Sequence, residues 1–305
     1  MIPADETFDG TFPFRPHFSE VNGFEMHYVD EGEGEPVICL HGEPTWGYLY
    51  RKFIPPLSKT NRVIVPDHMG FGKSETPQDK EYTLRTHVEN LAGLIEELGL
   101  QDITFVAQDW GGPICSAYTV RYPDRVKRFC LMNTLLGYGP LVPNAPKIPA
   151  LHTSPWFTWV IKGLEDGSYY EVLGNLNTTT LSVMKLLGFE NSQVVDQTWL
   201  RAYSSPFENK SECKGAIEFP LDVAQQRILN YVKEGISGID ELRKKPAMLA
   251  EGMRDRAIPP ARAIADFKIL YPTGPMVELE NVGHFCQEDA PETLVALIQQ
   301  FIQMT

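Results

Sequence analysis

The run Ile103-Thr104-Phe105-Val106-Ala107-Gln108-Asp109-Trp110-Gly111-Gly112 is an apolar stretch of strand character that ends on a carboxylate and leads into a helix-like segment. Small residues stand two positions either side of Asp109, Ala107 before it and Gly111 after it. They let the backbone fold sharply and push residue 109 outward. This is a nucleophile elbow: strand, tight turn, helix, with the reactive side chain at the tip. A turn of this kind requires strand–helix units around it.

The rest of the chain repeats that unit. The segment 18–30 reads as a hairpin about Asn22-Gly23, a strong turn signal. Strands are expected over 36–40, 62–66, 103–107, 126–133, 246–250 and 274–280. A helical segment is expected after Thr45. Over 82–98, Val88, Leu91, Leu94, Ile95 and Leu98 fall at helical spacing and Gly99 stops the helix. A last helix covers 292–303. The alternation predicts an α/β fold, a mostly parallel sheet with helices on both faces. It breaks at Gly137. From there to about Cys213, proline-rich loops, aromatic clusters and short helical stretches read as a helical cap inserted into the sheet domain. The expected division is a core of residues 1–136 and 214–305 and a cap of residues 137–213.

Composition narrows the partners. The chain has 305 residues, 43% hydrophobic, with 27 Lys+Arg against 40 Asp+Glu and a net charge of −13. That excess of acid argues against nucleic acid or an anionic membrane as partner, and a small neutral substrate is indifferent to it. The five cysteines, Cys39, Cys115, Cys130, Cys213 and Cys286, are dispersed and never spaced as C-x-x-C. They read as small buried hydrophobes in a reducing compartment, with Cys286 next to a candidate catalytic histidine. The first residues are acidic with no hydrophobic run, and no apolar run approaches membrane-spanning length. A soluble cytoplasmic protein is the expectation.

In doubly wound sheets the functional groups sit at the carboxyl ends of strands. Those ends carry His41-Gly42-Glu43, Asp67, Asp109-Trp110, Asn133, Asp255 and His284. Nucleophile, acid and histidine follow one another in chain order as Asp109, Asp255 and His284. Asn133 cannot be the anionic partner of a histidine, which leaves Asp255. A carboxylate is ionised near neutral pH and needs no base to attack a saturated carbon. Asp109 is therefore expected to attack in line and form an alkyl ester. His284, oriented by Asp255, then takes a proton from the water that attacks the ester carbonyl. The oxyanion needs two backbone N–H groups, expected from Trp110 and Glu43. The Trp110 indole is a donor only, suited to a departing anion. Each such bond is worth ~1.5–3 kcal/mol, and each ~1.36 kcal/mol is about tenfold in rate. The cap offers a second donor in Trp156 or Trp159.

The run His41-Gly42-Glu43-Pro44-Thr45-Trp46-Gly47-Tyr48-Leu49-Tyr50-Arg51, with Gln108-Asp109-Trp110-Gly111-Gly112 and Gly283-His284-Phe285, closely resembles the haloalkane dehalogenases of the α/β-hydrolase superfamily. The resemblance covers nearly the whole chain and is weakest in the cap. It is to the subfamily with an Asp–His–Asp triad and two halide-binding tryptophans, in which Glu follows His-Gly. It implies Asp109 as nucleophile, His284 as base, Asp255 as acid and Trp110 as one halide donor. Spacing in the cap matches Trp159 to the other, with Trp156 as pocket wall or alternative donor. It also implies no metal and no organic cofactor. The substrates implied are a small neutral haloalkane and water; the products are a primary alcohol, halide and a proton. A monomer is expected.

Other residues have plainer readings. His27, His68, His87 and His152 read as structural or exposed, and Trp46 and Trp199 as packing. Gly72-Lys73-Ser74 lacks the upstream glycine of a phosphate loop, since Asp67 stands there. Asp255 could instead pair with Arg254 or Arg256. An epoxide hydrolase is the nearest rival, with Tyr138, Tyr169, Tyr170 and Tyr203 as candidate cap donors. Gln108, Glu43-Pro44-Thr45 and Arg51 argue against it. A fluoroacetate dehalogenase typically has Arg where Trp110 stands. A non-hydrolytic relative would not need the intact triad.

Overall fold

A computed structural model describes residues 2–305. Among these the strands are β1 (His17–Val21), β2 (Phe24–Glu31), β3 (Pro36–Leu40), β4 (Arg62–Pro66), β5 (Ile103–Asp109), β6 (Val126–Thr134), β7 (Ala247–Gly252) and β8 (Met276–Leu279). They form one sheet in the order β1-β2-β4-β3-β5-β6-β7-β8. The β1–β2 hairpin is antiparallel and β2 lies antiparallel to β4; every other neighbouring pair is parallel. Parallel strands require crossover connections. They are supplied by α1 (Ile54–Leu57), α2 (Leu84–Glu97), α3 (Gly111–Thr119) and, after the helical stretch between β6 and β7, α11 (Pro260–Leu270), with α12 (Cys286–Asp289) and α13 (Pro291–Met304) following β8.

Local chemistry explains the boundaries. Asn22 and Gly23 both take positive φ, 49° and 75°, as the tight hairpin turn requires. The α2 helix begins where the Thr83 side chain accepts from the Thr86 N–H, an N-cap, and it buries Leu84, Val88, Leu91, Leu94 and Ile95. The helix expected after Thr45 is one 3-10 turn, Gly47–Tyr50, followed by the short α1. The central strands β3, β5 and β6 are buried almost throughout, as a sheet covered on both faces must be. The edge strand β8 is only partly buried and shorter than its apolar run suggests.

Between β6 and β7 no strand occurs among the described residues. The chain runs through α4 (Pro155–Asp166), α5 (Ser168–Leu173), α6 (Leu176–Leu187), α7 (Gln197–Ser204), α8 (Lys214–Ala224), α9 (Ile228–Glu234) and α10 (Ile239–Lys244). The α8 helix packs on α4 and α5, and its Phe219 reaches down to Trp110, with ring centroids 4.3 Å apart and an interplanar angle of 10°. All five cysteines are buried and free. Among the described residues no helix is long and apolar enough to cross a membrane.

Candidate active site

Asp109 is the last residue of β5, and its backbone has φ of +48°. Positive φ is uncommon for a residue with a Cβ and marks a constrained turn. The close packing leaves no room for larger neighbours. A Cβ on Gly111 would come within 2.5 Å of the Leu40 carbonyl oxygen, and one on Gly42 within 2.5 Å of the Asp109 Cβ. The Glu43 backbone N–H donates to Asp109 Oδ2 at 2.8 Å. Thr134 Oγ1 donates to the Asp109 carbonyl. The Trp110 N–H, expected as the second oxyanion donor, has no acceptor among the described residues.

The other strand ends converge on this carboxylate. His284 follows β8, and its Nε2 lies 3.8 Å from Asp109 Oδ2. Its Nδ1 lies 2.8 Å from Asp255 Oδ2. Asp255 follows β7 and is saturated: Oδ1 accepts from the N–H groups of Ala257 at 2.7 Å and Ile258 at 2.8 Å, and Oδ2 also accepts from Asn133 Nδ2 at 2.9 Å. Arg254 and Arg256 turn instead to Glu190. Burial by itself pushes the His284 imidazole down, but the charges and hydrogen bonds of Asp255 and Asp109 outweigh it and bring the pKa up to about 10. The imidazolium is thus held between two carboxylates.

Sequence reasoning missed three participants. Asn133, set aside because it cannot carry the anion, orients the residue that does. Its side chain also accepts from the Gly252 N–H and donates to the Gly252 carbonyl, clamping β6 to β7. Gln108 Nε2 donates to the His284 carbonyl at 3.1 Å and lies 3.1 Å from His284 Nε2. Glu251 is fully buried at the end of β7, and neither carboxyl oxygen has a partner. Burial, then the Asp255 charge, pushes its pKa well up, with His284 opposing. Glu43 behaves alike: both side-chain oxygens are unpartnered, and burial, then the Asp109 charge, raises it. Raised pKa values clustered at strand ends beside an elbow carboxylate are a mark of a functional site. The only advance signal for Asn133 was its place at a strand end; Glu251 gave none, because it falls just beyond the strand expected over 246–250, whereas β7 runs on to Gly252 and buries it.

Asp109 and Trp110 open onto a cavity of about 330 Å³. Its walls include Leu135, Leu136, Leu141, Phe157, Val232 and Ile258. Trp156 and Trp159 are stacked on each other, 5.1 Å apart, and are not among the lining residues; Phe157, between them in sequence, is. Trp159 lies beside Tyr169, at 6.0 Å, and Tyr169 feels the Glu43 charge. The indole N–H groups of Trp110, Trp156 and Trp159 have no acceptor among the described residues, whereas Trp46 donates to the Ala202 carbonyl. None of the candidate tyrosines lines the cavity. The Tyr203 hydroxyl donates to Glu288 and that of Tyr169 to the Ile217 carbonyl. His27 donates to Asp67, which also accepts from the N–H groups of Gly47 and Lys73. Asp67 is therefore a buried brace that ties together segments far apart in the chain.

Residues 35–291 match the α/β hydrolase fold family. The chain is 31% identical to a haloalkane dehalogenase of Psychrobacter cryohalolentis over 95% of this chain and 93% of that protein. It is 29% identical to a cis-3-alkyl-4-alkyloxetan-2-one decarboxylase of Shewanella oneidensis, over 97% of this chain and 91% of that one. Among solved structures, the tetrameric haloalkane dehalogenase DpaA of Paraglaciecola agarilytica NO2 superposes with a TM-score of 0.75 at 28% identity, covering 94% of this chain and 92% of that one. With an elbow aspartate, a histidine and a second aspartate converging at the carboxyl edge of its sheet, the chain belongs to the α/β-hydrolase family and, within it, to the haloalkane dehalogenases.

Proposed function

We propose that the protein hydrolyses haloalkanes to a primary alcohol, halide and a proton through a covalent ester on Asp109. The observation that carries this reading is the Asp109 carboxylate itself, placed at the elbow tip with the Glu43 N–H on one oxygen, His284 beside it and an apolar cavity in front. Asp109 attacks the carbon opposite the halogen. The carbon–halogen bond breaks as the Asp109 oxygen–carbon bond forms, and the halide leaves with the electron pair. Trp110 supplies one N–H to it. Trp159 supplies the second, with Trp156 as the alternative; their unpartnered indoles and the proximity of Trp159 to Tyr169 support the assignment.

Esterification removes the Asp109 charge. One of the influences that hold the His284 proton then disappears, so the imidazolium becomes easier to deprotonate when a base is needed. The neutral imidazole takes a proton from water. The hydroxide attacks the ester carbonyl carbon, and the N–H groups of Glu43 and Trp110 hold the oxyanion. Collapse expels the alkoxide, which takes the proton of the added hydroxyl and leaves as the alcohol; Asp109 returns as carboxylate and His284 as imidazolium, and the proton that His284 first gave up to solvent is the one released overall. Asp255, kept in place by Asn133, orients the ring. The assigned division is a core of 1–136 and 214–305 and a cap of 137–213, in a cytoplasmic monomer.

His284→Phe tests the route. It is expected to release one equivalent of halide and stop, leaving an alkyl mass adduct on the peptide that carries Asp109. Sustained turnover by that variant would exclude the mechanism. A second reading is favoured by the oxetanone decarboxylase relative: the same carboxylate could open a strained four-membered lactone ring. Offering 1,2-dibromoethane and a cis-3,4-dialkyloxetan-2-one in parallel, and measuring bromide against carbon dioxide, separates the two.

A further inference from the structure

The cavity in front of Asp109 is apolar along most of its wall, but two cations stand in it: Lys233 on α9 and Arg262 on α11. They come from separate elements, and no other lining residue besides Asp109 is charged. Neither makes an ion pair among the described residues. Glu234, next to Lys233, is taken by Arg85. Asp266, the acid nearest in effect to Arg262, spends its oxygens on the N–H groups of Leu136, Gly137 and Gly139. Arg262 donates to the Pro149 carbonyl, and its Nε is buried with no partner. A buried guanidinium nitrogen without an acceptor is costly, and the planar fork of arginine fits a carboxylate with two parallel bonds.

We propose that the preferred substrate carries a carboxylate at the end remote from the carbon under attack, an ω-haloalkanoate whose chain lies along the apolar wall and whose carboxylate sits at Arg262 and Lys233. This rests on the reading of Asp109 as the nucleophile and refines its substrate. The bonds exchanged are those already described, and the product is an ω-hydroxyalkanoate with halide and a proton. The net charge of −13 disfavours anions in general, so selection of one requires local cations free of acidic partners. Arg262, half-buried, carries most of the effect; Lys233 is exposed and its share is screened by salt.

The experiment compares ω-bromoalkanoates with 1-bromoalkanes of matched length, by halide release at low and high salt, and octanoate with 1-octanol by tryptophan fluorescence. The acid is expected to have the lower KM at one chain length. Arg262→Gln should shrink the acid-to-alkane preference by roughly tenfold, the scale of one charge-assisted hydrogen bond. Arg262→Lys should retain part of it, and Lys233→Gln should reduce it only at low salt. Equal loss for acid and alkane, or a wild-type preference for the alkane, overturns the proposal. If nothing releases halide, the assignment of Asp109 fails instead. Octanoate binding then still decides the anion site: no advantage over octanol overturns it, and an advantage lost in Arg262→Gln upholds it.

Discussion

The carboxyl edge of the sheet and the helical block above it meet at one cavity, yet they are held by different forces. At the sheet edge the two aspartates and the asparagine are tied to backbone: Asp109 by the Glu43 N–H, Asp255 by those of Ala257 and Ile258, and Asn133 by Gly252; the His284 ring is held in turn by Asp255. Above it, α4, α8 and α9 present mainly apolar side chains such as Phe157, Val223 and Val232, positioned by packing. Backbone hydrogen bonds are directional and fix atoms closely. Apolar burial scales with area and tolerates changes of shape at constant volume. The chemistry is therefore built where geometry is rigid, and selection of the substrate where it can vary.

The largest test of that division is Asp109→Asn, expected to lower halide release by at least about 10⁴-fold, since no other group supplies the nucleophile. A residual rate above that level would break the comparison at its base. Next is Asp255→Asn. Loss of the anion behind an oriented histidine costs on the order of 10²–10⁴-fold in kcat. Asn133→Ala should cost less, about tenfold, because Asp255 keeps its two backbone donors. An equal loss would mean that the side-chain clamp outranks the backbone one. A cap change should behave otherwise: Phe157→Ala should raise KM for short haloalkanes by about tenfold, from roughly 1–2 kcal/mol of lost contact, with a smaller change in kcat. A collapse in kcat instead would make the cap part of the chemistry.

The last test reads stability against pH. His284 in the folded protein titrates at about 10, above the usual ~6.5 of an unfolded histidine. A raised pKa contributes stability that is fully present below the unfolded value and is lost as pH rises through the folded one. The wild-type Tm should fall across that window, and the His284→Phe variant should lose less over the same range. Glu251 acts in the same direction: its raised carboxyl destabilises the fold once pH exceeds the ordinary carboxylate range. Glu251→Gln should then raise Tm near neutral pH by a few degrees, about 2–4 °C, the shift that ~1 kcal/mol gives. No gain would place an unseen partner at that carboxyl.

Much of the architecture was legible from local signals. Asn22-Gly23 specified its turn because both residues accept positive φ, and the spacing of Val88, Leu91 and Leu94 specified α2 because one face must be buried. The elbow was legible because Ala107 and Gly111 leave space that larger residues would fill. The orientation of Trp156 and Trp159 was less so. Trp156 and Trp159 share one helix and stack together, and helical spacing alone does not tell which face of a cap helix meets a cavity.

By itself the sequence determined the order of strands along the chain, the sharp turn at Asp109 and the placing of Asp109, Asp255 and His284 at strand ends, because turn chemistry and periodicity act over a few residues. The tertiary structure alone decided that Asn133 steadies Asp255, that Glu43 and Glu251 are buried carboxyls without partners, and that Arg262 and Lys233 share a cavity with Asp109. Those facts depend on contacts between residues far apart in the chain, and burial and partner choice are set only when the elements close over one another.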